Sequence, residues 1–135
     1  MIDAPDIPEN LKSVNARIAQ AASGAGRACD SITLVAVSKT KPAETIRQAL
    51  EGGHRVFGEN RLQEALEKWP ALKGDFPDVV LHLIGPLQRN KLRRAFDLFD
   101  VIETIDRDRL ARALADEAQR AGRCPDCFVQ VNTGE

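Results

Sequence analysis

The chain has 135 residues, 43% of them apolar and 29% charged, which suits one globular domain with a buried core. Nineteen basic and twenty acidic side chains leave a formal net charge of -1, so the charge balance favours neither nucleic acid nor an anionic membrane as a partner. No apolar run approaches the roughly 18 residues of a transmembrane helix, and the first residues lack the basic and apolar regions of a signal peptide. We therefore expect a cytoplasmic protein.

Helical and strand patterns alternate along the chain. A stripe of apolar residues predicts a first helix over 8–23, and a β-branched run predicts a strand over 32–37. Four more strands are predicted at 55–58, 79–84, 101–105 and 128–131. The intervening helices are predicted at 42–51, 61–69, 90–97 and 107–121, with Asn60 and Asp106 as N-caps, Gln63 completing a capping box and Gly122 closing the last helix.

This alternation predicts an α/β fold with a parallel sheet. Right-handed crossovers leave two architectures, an open doubly wound sheet or a (β/α)₈ barrel, and the pattern alone does not separate them. Both place ligand sites at the carboxyl ends of the strands. Polar residues collect at those ends, and Lys39 follows the first strand. A lysine at the mouth of a buried sheet is expected to be partly desolvated, and the neutral amine that desolvation favours can form a Schiff base with an aldehyde. Most lysines after a strand are, however, simply solvated.

Two cysteines have the C-x-x-C spacing of redox and zinc sites, at Cys124 and Cys127. A redox site requires the motif to open a helix, whereas here it leads into a predicted strand. A zinc site requires two more ligands, and the only histidines are His54 and His82. We expect incidental cysteines and no metal site.

Three linked motifs lie at successive strand ends. They are Leu34-Val35-Ala36-Val37-Ser38-Lys39-Thr40-Lys41-Pro42, Phe57-Gly58-Glu59-Asn60-Arg61-Leu62-Gln63-Glu64 and His82-Leu83-Ile84-Gly85-Pro86-Leu87-Gln88-Arg89-Asn90-Lys91. In this order and spacing the chain resembles the pyridoxal phosphate homeostasis protein family from about residue 7 to its last residue. Weaker matches follow at 104–106 and 129–132.

The resemblance implies a TIM-type barrel like the N-terminal domain of alanine racemase, and a protein that binds pyridoxal 5′-phosphate (PLP). Members of the family are thought to buffer or deliver this cofactor without an established turnover, with PLP-dependent apoenzymes as candidate recipients, and to be monomers. Carried over by position, Lys39 bears the Schiff base. Asn60, Ile84 and Gly85 line the ring pocket, with His82 and Gln88 nearby.

Each assignment has a simpler alternative. Asn60 could serve only as a helix cap, and His82, which alternates with apolar neighbours, could be a buried structural histidine. Gly85 could be required by a turn, by a ligand close to the backbone, or by both. A fold-type III PLP racemase is the alternative function, although the chain contains no tyrosine for one of the two proton transfers.

The expected domain spans residues 1–135 and is a truncated barrel. A (β/α)₈ barrel typically needs about 250 residues, and five strands are predicted here. The loops that bind the PLP phosphate in the family, and the arginine facing its pyridine nitrogen, have no counterpart in this sequence. We therefore expect an incomplete site, with an inactive fragment as a further alternative. If the chain folds, open sheet edges favour dimerisation or strand exchange.

Overall fold

A computed structural model describes residues 5–134, which form one sheet of five parallel strands with helices between them. The strands are β1 (Ala36–Val37), β2 (Val56–Glu59), β3 (Val80–Leu83), β4 (Val101–Ile105) and β5 (Asp126–Val129). The helices are α1 (Ile7–Gly24), α2 (Ala43–Glu51), α3 (Leu62–Asp75), α4 (Leu92–Leu98) and α5 (Asp108–Ala121), with short 3₁₀ helices at Cys29–Ser31 and Arg89–Lys91.

The order of the strands decides between the two predicted architectures. Each strand pairs in parallel with the next one along the chain, so the sheet order is β1-β2-β3-β4-β5. A doubly wound sheet reverses its strand order at a switch point, whereas a barrel adds strands in sequence around one axis. The five strands therefore form an arc of the (β/α)₈ barrel type.

Alternate strand residues separate the two faces of this arc. Phe57, Leu81 and Ile102 are buried in the core between sheet and helices, where the fully buried Trp69 ring lies 5.1 Å from that of Phe57. Val56 and Val80 point the other way and line an open concave space of about 710 Å³. A complete barrel fills this interior with side chains from all eight strands.

Several predicted boundaries are wrong. The first strand is limited to two residues, Ala36–Val37, which pair with β2. The last strand begins two residues earlier than predicted, at Asp126. The third helix runs past Pro70, which is exposed, to Asp75. The predicted caps Asn60 and Asp106 are also wrong.

The helices α3 and α5, which follow Asn60 and Asp106, have other residues at their N-cap positions. Arg61 and Arg107 occupy the N-cap positions of α3 and α5, and neither side chain caps its helix. Gly122 closes α5 in the left-handed conformation, with φ of 69°, as predicted. Across residues 5–134, none of the helices combines the length and the apolar character needed to cross a bilayer.

Candidate cofactor site

The residues predicted to form the site follow three neighbouring strands at their carboxyl ends. Asn60, Ile84 and Gly85 lie together, because the Ile84 N–H donates to the Glu59 carbonyl (2.9 Å) and Gly85 abuts the backbone of Asn60. Lys39 lies in the turn after β1, the strand that pairs with β2 at the edge of the sheet. Gln88 is exposed and precedes the 3₁₀ helix at Arg89–Lys91.

Two glycines allow the strand ends to approach closely. A Cβ on Gly85 would lie 2.1 Å from the carbonyl oxygen of Asn60, far inside van der Waals contact. A Cβ on Gly58 would lie 3.0 Å from Val35 and 3.1 Å from Ile84 on the inner face of the arc. The absence of these two side chains lets the carboxyl ends of β2 and β3, and the side chains of Val35 and Ile84, pack closely together.

Lys39 is exposed, so the predicted partial desolvation of its amine is wrong. Ser38, one residue earlier, is buried on the helix side of the sheet, where its hydroxyl donates to Glu59. Lys39 is the first residue of the turn that follows, so its direction toward the open interior of the arc stays a prediction. Its side chain is accessible from solvent.

A buried ion pair lies directly beneath this turn. The Glu59 carboxylate is fully buried, and the Nζ atom of Lys68 lies 2.7 Å from its Oε1 atom. The Ser38 hydroxyl and the Trp69 indole N–H also donate to Oε1, at 2.9 and 3.1 Å. Within residues 5–134, the other oxygen, Oε2, has no hydrogen-bond partner. Since a buried charge is costly without a partner, Lys68 is essential to this arrangement.

The same lysine contacts the turn that carries Lys39. The Nζ atom of Lys68 donates to the backbone carbonyls of Ser38 and Lys41, both at 3.0 Å. The Glu64 carboxylate accepts the backbone N–H of Thr40 at 2.9 and 3.1 Å. Thr40 has φ of 65°, which is rare for a β-branched residue.

His82 lies deeper, within β3. It is 9% exposed, and its Nδ1 atom is 2.6 Å from Oε1 of Glu103 on β4. Both side chains line the open interior of the arc. His82 is therefore a buried, hydrogen-bonded histidine two residues before Ile84, and its place in the cofactor site stays a prediction.

The two cysteines of the C-x-x-C motif are free and exposed at the start of β5. Partial desolvation of the thiol, with Cys124 and Asp126 beside it, raises the pKa of Cys127 to about 11. A thiol with so high a pKa carries little of the reactive thiolate at neutral pH. Among residues 5–134, no group of three or more His, Cys, Asp or Glu side chains could hold a metal ion.

We expect alkylation of Cys127 by iodoacetamide to be slow at neutral pH. The rate should rise about tenfold per pH unit as the pH approaches the raised pKa, because only the thiolate reacts. Peptide mass spectrometry after timed alkylation between neutral and alkaline pH measures this rate. A rate that levels off below pH 8 would contradict the raised pKa.

The sequence analysis did not identify Glu59, Glu64 and Lys68 as residues that contact the turn carrying Lys39. The first two lie in a recognised motif, but nothing local indicates that Glu59 is fully buried. One signal was present, since Glu64 and Lys68 are four residues apart on one helix, the spacing of a helical ion pair. Their nitrogen and oxygen atoms lie 3.8 Å apart.

Comparison with known proteins agrees with this fold. A family model described as the N-terminal domain of alanine racemase matches residues 9–135. The chain belongs to this family. The sequential order of its five parallel strands is that of a (β/α)₈ barrel.

Two relatives narrow the identification. The pyridoxal phosphate homeostasis protein of Escherichia coli K12 is 42% identical over 133 residues, covering 96% of this chain and 56% of the relative. That of Pseudomonas aeruginosa PAO1 is 46% identical over 127 residues, covering 93% and 54%. The resemblance predicted from the three motifs is thus confirmed. The chain spans about half the length of these relatives.

The solved structures of PipY from Synechococcus elongatus PCC7942 are also similar. The structure without PLP has a TM-score of 0.84 at 40% identity, covering 96% of this chain and 55% of PipY. The structure with PLP bound has a TM-score of 0.74 at 44% identity, covering 87% and 55%.

Proposed function

We propose that this chain contributes the lysine-bearing part of a PLP homeostasis protein and holds PLP as a Schiff base on Lys39. The observation that carries the proposal is the placement of Lys39, exposed at the carboxyl end of β1 on a turn with several anchoring contacts. Relatives named for PLP homeostasis, and a PLP-bound structure of PipY, support the identity of the ligand.

The neighbouring side chains favour Lys39 over another lysine of the site. Lys68 is only 10% exposed at its side chain and is engaged by Glu59 and two backbone carbonyls. Lys39 has no hydrogen bond from its side chain to any other residue in the 5–134 range, so its amine is available for reaction. The neutral amine would condense with the aldehyde of PLP, forming a C=N bond while both amine protons and the aldehyde oxygen leave as water.

The residues at the adjacent strand ends fit such a ligand. The close approach of Gly85 to the Asn60 backbone brings two strand ends together, and we propose that Asn60, Ile84 and Gly85 flank the pyridine ring there. His82 and Gln88 are proposed to lie near it. Because no phosphate loop is recognisable in this sequence, we propose that PLP binds more weakly here than to a protein with a complete barrel.

We propose a carrier role and no catalytic turnover. The relatives are named for homeostasis, and no tyrosine is present in the sequence to serve as a second proton-transfer group. The family match to an alanine racemase domain makes racemisation the second candidate. Turnover of L-alanine to D-alanine by the purified chain with PLP would favour it.

Four further expectations stay predictions. They are delivery of PLP to apoenzymes, cytoplasmic location, a single domain over 1–135, and the oligomeric state. Self-association would occur through the exposed apolar residues of the two edge strands. These are Val37 on β1 and Phe128 and Val129 on β5.

The visible absorption spectrum of the purified chain with PLP tests the proposed function. We expect a Schiff-base band that disappears on borohydride reduction, is lost in Lys39→Ala, and remains in Lys41→Ala, the matched control in the same turn. The full-length Escherichia coli relative serves as the positive control. A band in that protein and none in this chain would contradict the proposal.

A further inference from the structure

The turn over residues 38–41 is anchored on both sides of Lys39. On the N-terminal side, the Ser38 hydroxyl donates to Glu59 and the Ser38 carbonyl accepts from Lys68. On the C-terminal side, the Lys41 carbonyl accepts from the same Nζ atom of Lys68. One ammonium group on α3 therefore joins the two ends of the turn.

The middle of the turn is held by a second residue of the same helix. Both carboxylate oxygens of Glu64 lie within 3.1 Å of the Thr40 backbone N–H. This bond fixes Thr40 in the left-handed region, a conformation that a β-branched residue does not keep without support from its surroundings.

The buried ion pair between Glu59 and Lys68 does not depend on Glu64. Lys68 alone neutralises Glu59 at 2.7 Å, whereas Glu64 is half-buried and 3.8 Å from Lys68. The shortest contacts of Glu64 go to the backbone of the turn and not to the core. An ion pair between Glu64 and Lys68 that only stabilised the helix would not require the hydrogen bond from the Thr40 N–H to Glu64.

We propose that Glu64 and Lys68 are positioning residues that fix the turn over 38–41 and so direct the amine of Lys39 into the mouth of the barrel. Neither residue needs to touch the ligand. The role toward an aldehyde ligand rests on the proposed function, whereas the role in fixing the turn does not.

Glu64→Ala tests this inference, with Glu67→Ala as the matched control, since Glu67 is exposed on the same helix. In the ligand-free chain, amide exchange at Thr40 should accelerate about tenfold in Glu64→Ala, the change expected on losing one charge-assisted hydrogen bond. Exchange in the core of α3 should not change. NMR-detected exchange measures both.

The second measurement is the initial rate at which PLP and cyanoborohydride label Lys39, relative to exposed Lys12 on α1. This ratio should fall toward one in Glu64→Ala, because Lys39 then loses the advantage that the fixed turn gives it over an ordinary exposed lysine. Thr40→Gly added to Glu64→Ala should restore part of it, because glycine adopts a positive φ without strain. Glu67→Ala should match the original chain.

The outcomes separate this inference from the proposed function. If the original chain labels Lys39 no faster than Lys12, the proposed function fails, and the exchange rate at Thr40 still decides whether Glu64 fixes the turn. If the original chain prefers Lys39 and Glu64→Ala keeps the same preference and the same exchange at Thr40, the positioning role is overturned.

Discussion

Lys68→Met should lower the free energy of unfolding by about 3–5 kcal/mol, because it leaves the carboxylate of Glu59 buried without a counter-ion. Glu59 is fully buried, and Lys68 is its one cationic partner within residues 5–134. The Ser38 and Trp69 donors remain in the variant, but they do not neutralise the charge. Urea unfolding followed by fluorescence measures the effect, since Trp69 is the single tryptophan and contacts Glu59 directly.

Lys73→Met on the same helix is the matched control. Lys73 pairs with Asp100 at 2.9 Å, but the side chains are 24% and 44% exposed, so its loss should cost about 1 kcal/mol or less. A double variant, Glu59→Gln with Lys68→Met, removes the buried charge and should be more stable than Lys68→Met alone. If Lys68→Met costs no more than Lys73→Met, the buried pair does not stabilise the fold as described.

Gly85→Ala should destabilise the chain by about 3 kcal/mol, at the upper end of the cost of overpacking. The added Cβ would lie 2.1 Å from the carbonyl oxygen of Asn60 and 2.8 Å from its carbonyl carbon. Because those atoms are backbone, no side-chain rotation can relieve the clash, and the carboxyl ends of β2 and β3 must move apart. Urea unfolding followed by circular dichroism measures the loss.

Gly74→Ala provides the comparison for that substitution. Gly74 lies near the end of α3, and a Cβ there meets no atom within 4 Å. Alanine should therefore be neutral or stabilise the chain by up to about 1 kcal/mol through its higher helix propensity. Equal effects of the two substitutions would contradict the close approach of Gly85 to Asn60.

The sequence predicted the type and order of the elements because their hydrophobic periods are local. The strand over 101–105 is confirmed at both ends, and Gly122 closes α5 as expected. The choice between a barrel and a doubly wound sheet required the order of strand pairing, which depends on contacts between distant segments.

The wrong caps and the missed ion pair share one physical origin. Asn60 fits a local capping pattern, but its backbone is packed against Gly85 and the helix begins two residues later. Glu59 resembles a solvated loop residue, yet donors from Ser38, just after β1, and from Trp69 on α3 converge on its buried carboxylate. Neither effect can be derived from neighbouring residues, since the partners are distant along the chain.

We propose that Lys39, and no other lysine of the chain, carries PLP. Borohydride reduction of the purified chain with PLP, followed by peptide mass spectrometry, tests it most directly because reduction makes the linkage permanent. We expect a pyridoxyl group on the peptide containing Lys39, at a yield well above that of any other lysine peptide. A label distributed evenly over the exposed lysines, or concentrated on Lys41, would contradict it.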